Sequence, residues 1–205
     1  YKQLLLILLL SIVGISASCK DKNKPKPPTP PVANDYLAKG GDVSWLPQME
    51  ATGFKFFESD GTETDCLEIL KNRGMNTVRL RVFVNPSNNP QSGHCSKEET
   101  VAMAVRAKNL GMKVMIDFHY SDSWADPGKQ TKPAAWNGYS FQQLMDAVWN
   151  STRFTLQAVK DAGVTVDWVQ VGNETNNGML WNEGKASVNM KNYAWLTNTG
   201  YNATK

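Results

Sequence analysis

The chain has 205 residues, 41% of them hydrophobic and 20% charged, ordinary proportions for globular protein with material for one sizeable core. Its net charge of +3 arises entirely before Tyr36, where five lysines face two aspartates; the 17 basic and 17 acidic residues that follow cancel. A nucleic-acid reader carries a basic surplus on its fold, so this balance argues against that class.

Residues 1–19, YKQLLLILLLSIVGISASC, read as a targeting segment. Lys2 supplies the positive flank, Leu4 to Ile15 form a twelve-residue apolar stretch, and Ser16, Ala17 and Ser18 lead into Cys19. That length is short for a permanent bilayer span. The ending resembles the lipobox of bacterial lipoproteins, in which the cysteine is acylated and becomes the mature N-terminus; an ordinary secretory signal is the alternative. Residues 20–35, KDKNKPKPPTPPVAND, are rich in proline and lysine, which favours an extended, solvated tether. A lipid anchor at Cys19 implies a location on the bacterial cell envelope, at the outer membrane or cell surface, with the membrane as a partner.

From Tyr36 the chain alternates between strand and helix patterns. DVSWL (42–46) is a short strand expectation, and TDCLEILKNRG (64–74) a helix closed by Gly74. MNTVRLRVFVNP (75–86) is β-branched and alternating, KEETVAMAVRAKNLG (97–111) is helical, and MKVMIDFHY (112–120) is a third strand. In the segment 141–163, Phe141, Leu144, Val148, Thr152, Thr155 and Val159 share one helical face. VDWVQVGNE (166–174) makes a fourth strand, and a fourth helix starts at Asn189. Four strand-helix units in succession predict an α/β fold with a parallel sheet and helices outside it.

Either a doubly wound sheet or a (β/α)8 barrel fits this beat. No Gly-rich phosphate fingerprint follows the first strand, which counts against a nucleotide-binding protein. Polar residues gather instead at the strand ends: Arg79 and Arg81, Asp117 and His119, Asn173 and Glu174. Barrels place their chemistry at that end. Alternation sends Val78, Leu80, Val82 and Val84 toward helices and Arg79 and Arg81 to the opposite face. For each polar residue taken singly, a buried ion pair or hydrogen bond is the simpler reading; their coincidence at one end of the sheet favours a site. His94 and His119 are the only histidines and no Cys/His cluster exists, so no structural zinc site is expected.

GGDVSWL, VRLRVFVNP, DFHYSDSWADPGKQ, PAAW and VQVGNETNNGMLW, in that order from Gly40 to Trp181, together resemble the endo-β-1,4-galactanases of glycoside hydrolase family 53. The resemblance implies a (β/α)8 barrel, of which about the first four βα units are present, and retaining hydrolysis of β-1,4-galactan, the backbone of type I arabinogalactan in pectin side chains. It implies Glu174 as acid/base at the end of strand four, Asn173 holding the sugar 2-hydroxyl, Arg79 near the nucleophile and Trp124 as a sugar-stacking aromatic. Asp117, His119 and Asp122 are further expected substrate contacts; flat indoles suit the apolar faces of pyranose rings, which makes Trp181 a second expected platform and Trp136 either a third or a core residue. Retention requires two carboxylates flanking the bond, one to protonate the leaving oxygen and one to attack the anomeric carbon.

Such barrels run to about 250 residues, so residues 36–205 are read as the N-terminal half of one, in a chain truncated at both ends and inactive alone. The nucleophile is expected in the missing half. No cofactor is expected in this segment, and a calcium site in the other half is left open. Cys66 and Cys95 form a possible disulfide if their Cα atoms approach within about 7 Å, two free thiols being the alternative. A barrel glycosidase acting on mannan or xylan, and a lipid-anchored glycan-binding protein without catalysis, fit the same residues.

Overall fold

The computed structural model describes residues 36–91 and 93–205. The expected signal and linker over residues 1–35, with the expected lipidation site Cys19, lie outside them. Among the described residues no helix is long and apolar enough to cross a membrane.

Four short strands, β1 (Gly40–Asp42), β2 (Thr77–Val82), β3 (Lys113–Phe118) and β4 (Trp168–Val171), form one parallel sheet in sequential order. Helices connect them: α1 (Leu46–Ala51) and α2 (Cys66–Asn72) between β1 and β2, α3 (Lys97–Asn109) before β3, α4 (Phe141–Asp161) before β4, and α5 (Ala186–Ala203) after it. Sequential parallel order through helical crossovers is the expected βα beat.

The helix starts are encoded locally. Ser96 and Ser140 each accept from the main-chain N–H three residues on, and Glu99 and Gln143 return a bond to the cap residue, two complete capping boxes. Asp65 caps α2 through the N–H groups of Leu67 and Glu68. On α4, Leu144, Val148, Thr152, Thr155 and Val159 are buried, the stripe that the helical period predicts. Leu144, Val148 and Val159 join Val78, Leu80, Val82, Val114, Ile116 and Phe118 from the outward face of the sheet in one hydrophobic core.

The expected strand over 42–46 ends at Asp42. The Asp42 carboxylate accepts the Ser44 N–H at 2.9 Å, turning the chain, and Pro47 then sits in the first turn of α1, where its missing N–H costs nothing. The helix expected from Asn189 is α5, which begins three residues earlier at Ala186 and is broken at Asn189.

The possible disulfide is overturned: Cys66 and Cys95 are both buried and free. Asp65, beside Cys66, pairs with Arg106 in the last turn of α3, whereas Cys95 immediately precedes the cap of that helix. Ten residues of helix between Ser96 and Arg106 amount to about 15 Å, more than twice the span that a disulfide bridges. The Cys95 thiol donates to the Ser44 carbonyl at 3.4 Å, and burial pushes its pKa up to about 11. Burial raises the Cys66 thiol as well.

Candidate active site at the strand ends

Pairing register places the inward side chains in neighbouring rows. Asp42 lies opposite Arg79, Arg81 opposite Asp117, and Asp117 opposite Gln170. The parity expected for Arg79 and Arg81 is what brings them together with the carboxylates.

Arg79 is the hub. Its Nη1 donates to Asp42 Oδ2 at 2.6 Å, and its Nη2 to Asp117 Oδ2 at 2.6 Å and to Asn173 Oδ1 at 2.9 Å. Gln170 Oε1 lies 3.3 Å from Nη2. Arg81 Nη1 donates to the other Asp42 oxygen at 3.0 Å. Two arginines and two aspartates thus neutralise one another, Arg79 bridging Asp42 and Asp117 and Asp42 bridging Arg79 and Arg81.

Asp117 and His119, expected at the substrate, are a supporting layer instead. Both side chains have 0% exposure: Asp117 lies against Arg79 and His119, and His119 against Trp124 and Ala125 of the loop after β3. His119 Nδ1 accepts the Ala125 N–H at 3.0 Å, which assigns the ring proton to Nε2, 2.9 Å from Asp117 Oδ2. Asp122 is spent on main chain: its two oxygens accept the Asn85 and Ala134 N–H groups at 2.9 and 2.8 Å, stapling three loops.

Asn173 is buried and fixed at both ends of its amide. Oδ1 accepts from Arg79, while Nδ2 donates to the Ala125 carbonyl at 2.7 Å. With one Nδ2 hydrogen committed, the other remains for an incoming hydroxyl. Gly172, with φ of +85°, makes the turn out of β4, and a Cβ there would lie 2.7 Å from the Thr175 side chain. Glu174 follows with φ of +47°, a left-handed conformation that costs a residue with a side chain about 1–3 kcal/mol. Its side chain is exposed. The strand end therefore presents a solvent-facing carboxylate from a strained, externally braced backbone.

The indoles differ in what they can offer. Trp124 is 52% exposed, with the Arg81 guanidinium 4.0 Å from its ring centroid and the His119 ring edge-on beside it; it is held like a shelf. Trp181 is half-buried, its Nε1 donating to the Asn177 carbonyl at 3.0 Å and Lys185 Nζ 4.3 Å from its ring centroid. Trp136 is buried in the core, which settles it as packing.

Two amides escaped the sequence reading. Gln170 is legible only as the middle residue of VQV, whose flanking valines point outward, and Gln130 only as the last residue of an unusual loop motif. Neither carries a charge that would mark it.

Comparison with known proteins bears on this geometry. The family description "Glycosyl hydrolase family 53" matches residues 38–205. The chain is 37% identical over 174 residues to an endo-beta-1,4-galactanase of Bacillus subtilis, covering 78% of this chain and 41% of that protein. It is 38% identical over 149 residues to an arabinogalactan endo-beta-1,4-galactanase of Humicola insolens, covering 73% and 43%. Among solved structures, the Ignisphaera aggregans GH53 catalytic domain superposes with a TM-score of 0.75 at 38% identity, over 81% of this chain and 47% of that one. The chain thus spans less than half the length of these relatives, and its four βα units are a partial (β/α)8 barrel.

Proposed function

We propose, because this chain belongs to glycosyl hydrolase family 53, that it supplies the acid/base half of an endo-acting enzyme that cleaves β-1,4-galactan with retention. The observation that carries this reading is Glu174: an exposed carboxylate on left-handed backbone at the end of β4, next to an Asn173 whose amide orientation is already fixed. Protein relatives named as galactanases support the substrate.

In this scheme Glu174 protonates the glycosidic oxygen as the bond breaks, and a second carboxylate, supplied by chain outside these 205 residues, attacks the anomeric carbon. The deprotonated Glu174 then takes a proton from water, which hydrolyses the glycosyl-enzyme. The free Nδ2 hydrogen of Asn173 is placed for the sugar 2-hydroxyl, a contact that strengthens toward the transition state. It needs no reorientation, because Arg79 and the Ala125 carbonyl hold the amide. Trp124 offers its exposed face to a pyranose ring, and Arg81 beneath it keeps the indole from collapsing into the site.

The full-length enzyme is expected to release β-configured reducing ends first from β-1,4-galactan, followed by their mutarotation in proton NMR. An α product appearing first, or hydrolysis of mannan or xylan in preference to galactan, would overturn the reading. Binding without any reducing ends would assign the protein to glycan capture alone.

The proposed location on the cell envelope rests on LLLILLLSIVGISASC and the proline-lysine tether after it. Cells expressing the full-length protein with a labelled fatty acid should mark the wild type and leave Cys19→Ser unlabelled; label retained in the variant would sink the lipid anchor.

A further inference from the structure

The geometry points to Gln130 as a positioning residue for Glu174, one that sets the direction of the acid through the backbone without touching substrate. This inference rests on Glu174 being the acid/base. Residues 125–130, ADPGKQ, form a closed turn: Asp126 and Lys129 exchange main-chain bonds at 2.8 and 3.0 Å, and Asp126 Oδ1 accepts the Gly128 N–H at 2.8 Å. The turn leaves Gln130 pointing inward and only 3% exposed. Its Nε2 donates to the Asn173 carbonyl at 2.8 Å and to the Asp126 carbonyl at 3.1 Å, and lies 3.4 Å from the Glu174 carbonyl. Its own carbonyl accepts the Trp181 N–H at 2.8 Å. One residue therefore ties down both ends of the loop that carries the acid.

Such a brace has work to do at this position. A left-handed φ at Glu174 is unfavourable for a residue with a Cβ and persists only where its surroundings enforce it. The peptide plane between Asn173 and Glu174 decides where the Glu174 side chain points. Two bonds hold it from the same turn: Asn173 Nδ2 reaches the Ala125 carbonyl, and Gln130 Nε2 returns to the Asn173 carbonyl. Without the second bond, a buried carbonyl loses its donor and the peptide can rotate toward an ordinary conformation, swinging the carboxylate away from the glycosidic oxygen.

The test uses the full-length enzyme with Gln130→Met, which keeps length and removes the donor, beside Glu174→Gln. Each is assayed on β-1,4-galactan and on a dinitrophenyl β-galactobioside, whose leaving group needs no proton. Gln130→Met is expected to lower kcat on galactan roughly 10²-fold with little change in KM, and to leave the first step on the dinitrophenyl substrate within about threefold of wild type. Equal losses on both substrates, or no loss on either, would overturn the positioning role. Gln130→Glu serves where the Met variant does not fold, since its carboxyl donates to the Asn173 carbonyl only when protonated. Its galactan activity relative to wild type should recover as pH falls, and a ratio independent of pH counts against the proposal. Full galactan activity in Glu174→Gln would remove the acid assignment itself, an outcome distinct from either Gln130 result.

Discussion

In the full-length enzyme Glu174→Gln is expected to lower turnover of β-1,4-galactan by roughly 10²–10⁴-fold, the contribution of a positioned acid/base, or about 3–5 kcal/mol of barrier. The substitution keeps the shape and left-handed backbone of the site and removes only the titrating proton. A galactan leaving group departs as an alkoxide unless it is protonated, so the first step stalls. An activated aryl galactoside leaves unaided, so its first step should survive and the glycosyl-enzyme should accumulate, because no base remains to activate water. Azide, a small nucleophile that needs no base, should then speed release and yield a β-galactosyl azide. Wild-type turnover of galactan by the variant, or failure of azide to accelerate a slow second step, would remove Glu174 from the acid/base role. The Asn173 bonds predict that substrate affinity changes little, since Arg79 and Ala125 continue to hold that amide.

How far this site was legible in the sequence follows from what periodicity can encode. The alternation in VRLRV and in MIDFH fixes which side chains face inward, and Arg79, Arg81 and Asp117 do meet there. Alternation says nothing about depth along the barrel axis. Alternation alone therefore predicts substrate contact for Asp117 and His119, whereas both are fully buried, Asp117 against Arg79 and His119, and His119 against Trp124 and Ala125. The cysteines are a second case: the excursion through residues 53–65 brings the start of α2, with Cys66, beside the last turn of α3, whereas Cys95 lies at the other end of that helix. VSWL carries β-like side chains, yet one carboxylate bond from Asp42 and a proline were enough to turn it into a helix start. Gln130 and Gln170 stayed invisible because an amide's role depends on which carbonyls surround it, information that exists only after folding.

The largest expected loss of stability belongs to Arg79→Leu. Among the described residues Arg79 is the only guanidinium bonded to Asp117, a carboxylate with 0% exposure that also lies 2.9 Å from His119 Nε2. Asp42, by contrast, keeps Arg81. Removing Arg79 leaves one buried anion largely uncompensated, which costs about 3–5 kcal/mol, a large fraction of the 5–15 kcal/mol that is typical for a whole domain. Urea unfolding of the full-length protein at unchanged slope measures it through the midpoint. Arg79→Lys should fall between, because an ammonium retains the charge but cannot fork to Asp42, Asp117 and Asn173 together. The double variant Arg79→Leu, Asp117→Leu should regain much of the loss, since replacing a buried pair by apolar side chains is often close to neutral. A single-variant cost below about 1 kcal/mol, or costs that simply add in the double variant, would show that the pair is not the buried charge couple that its geometry describes. Activity should not return with stability: without Arg79 Nη2, Asn173 Oδ1 keeps only the longer Gln170 Nε2 bond at 3.3 Å, so the amide is held less firmly and the double variant should fold well and hydrolyse galactan poorly.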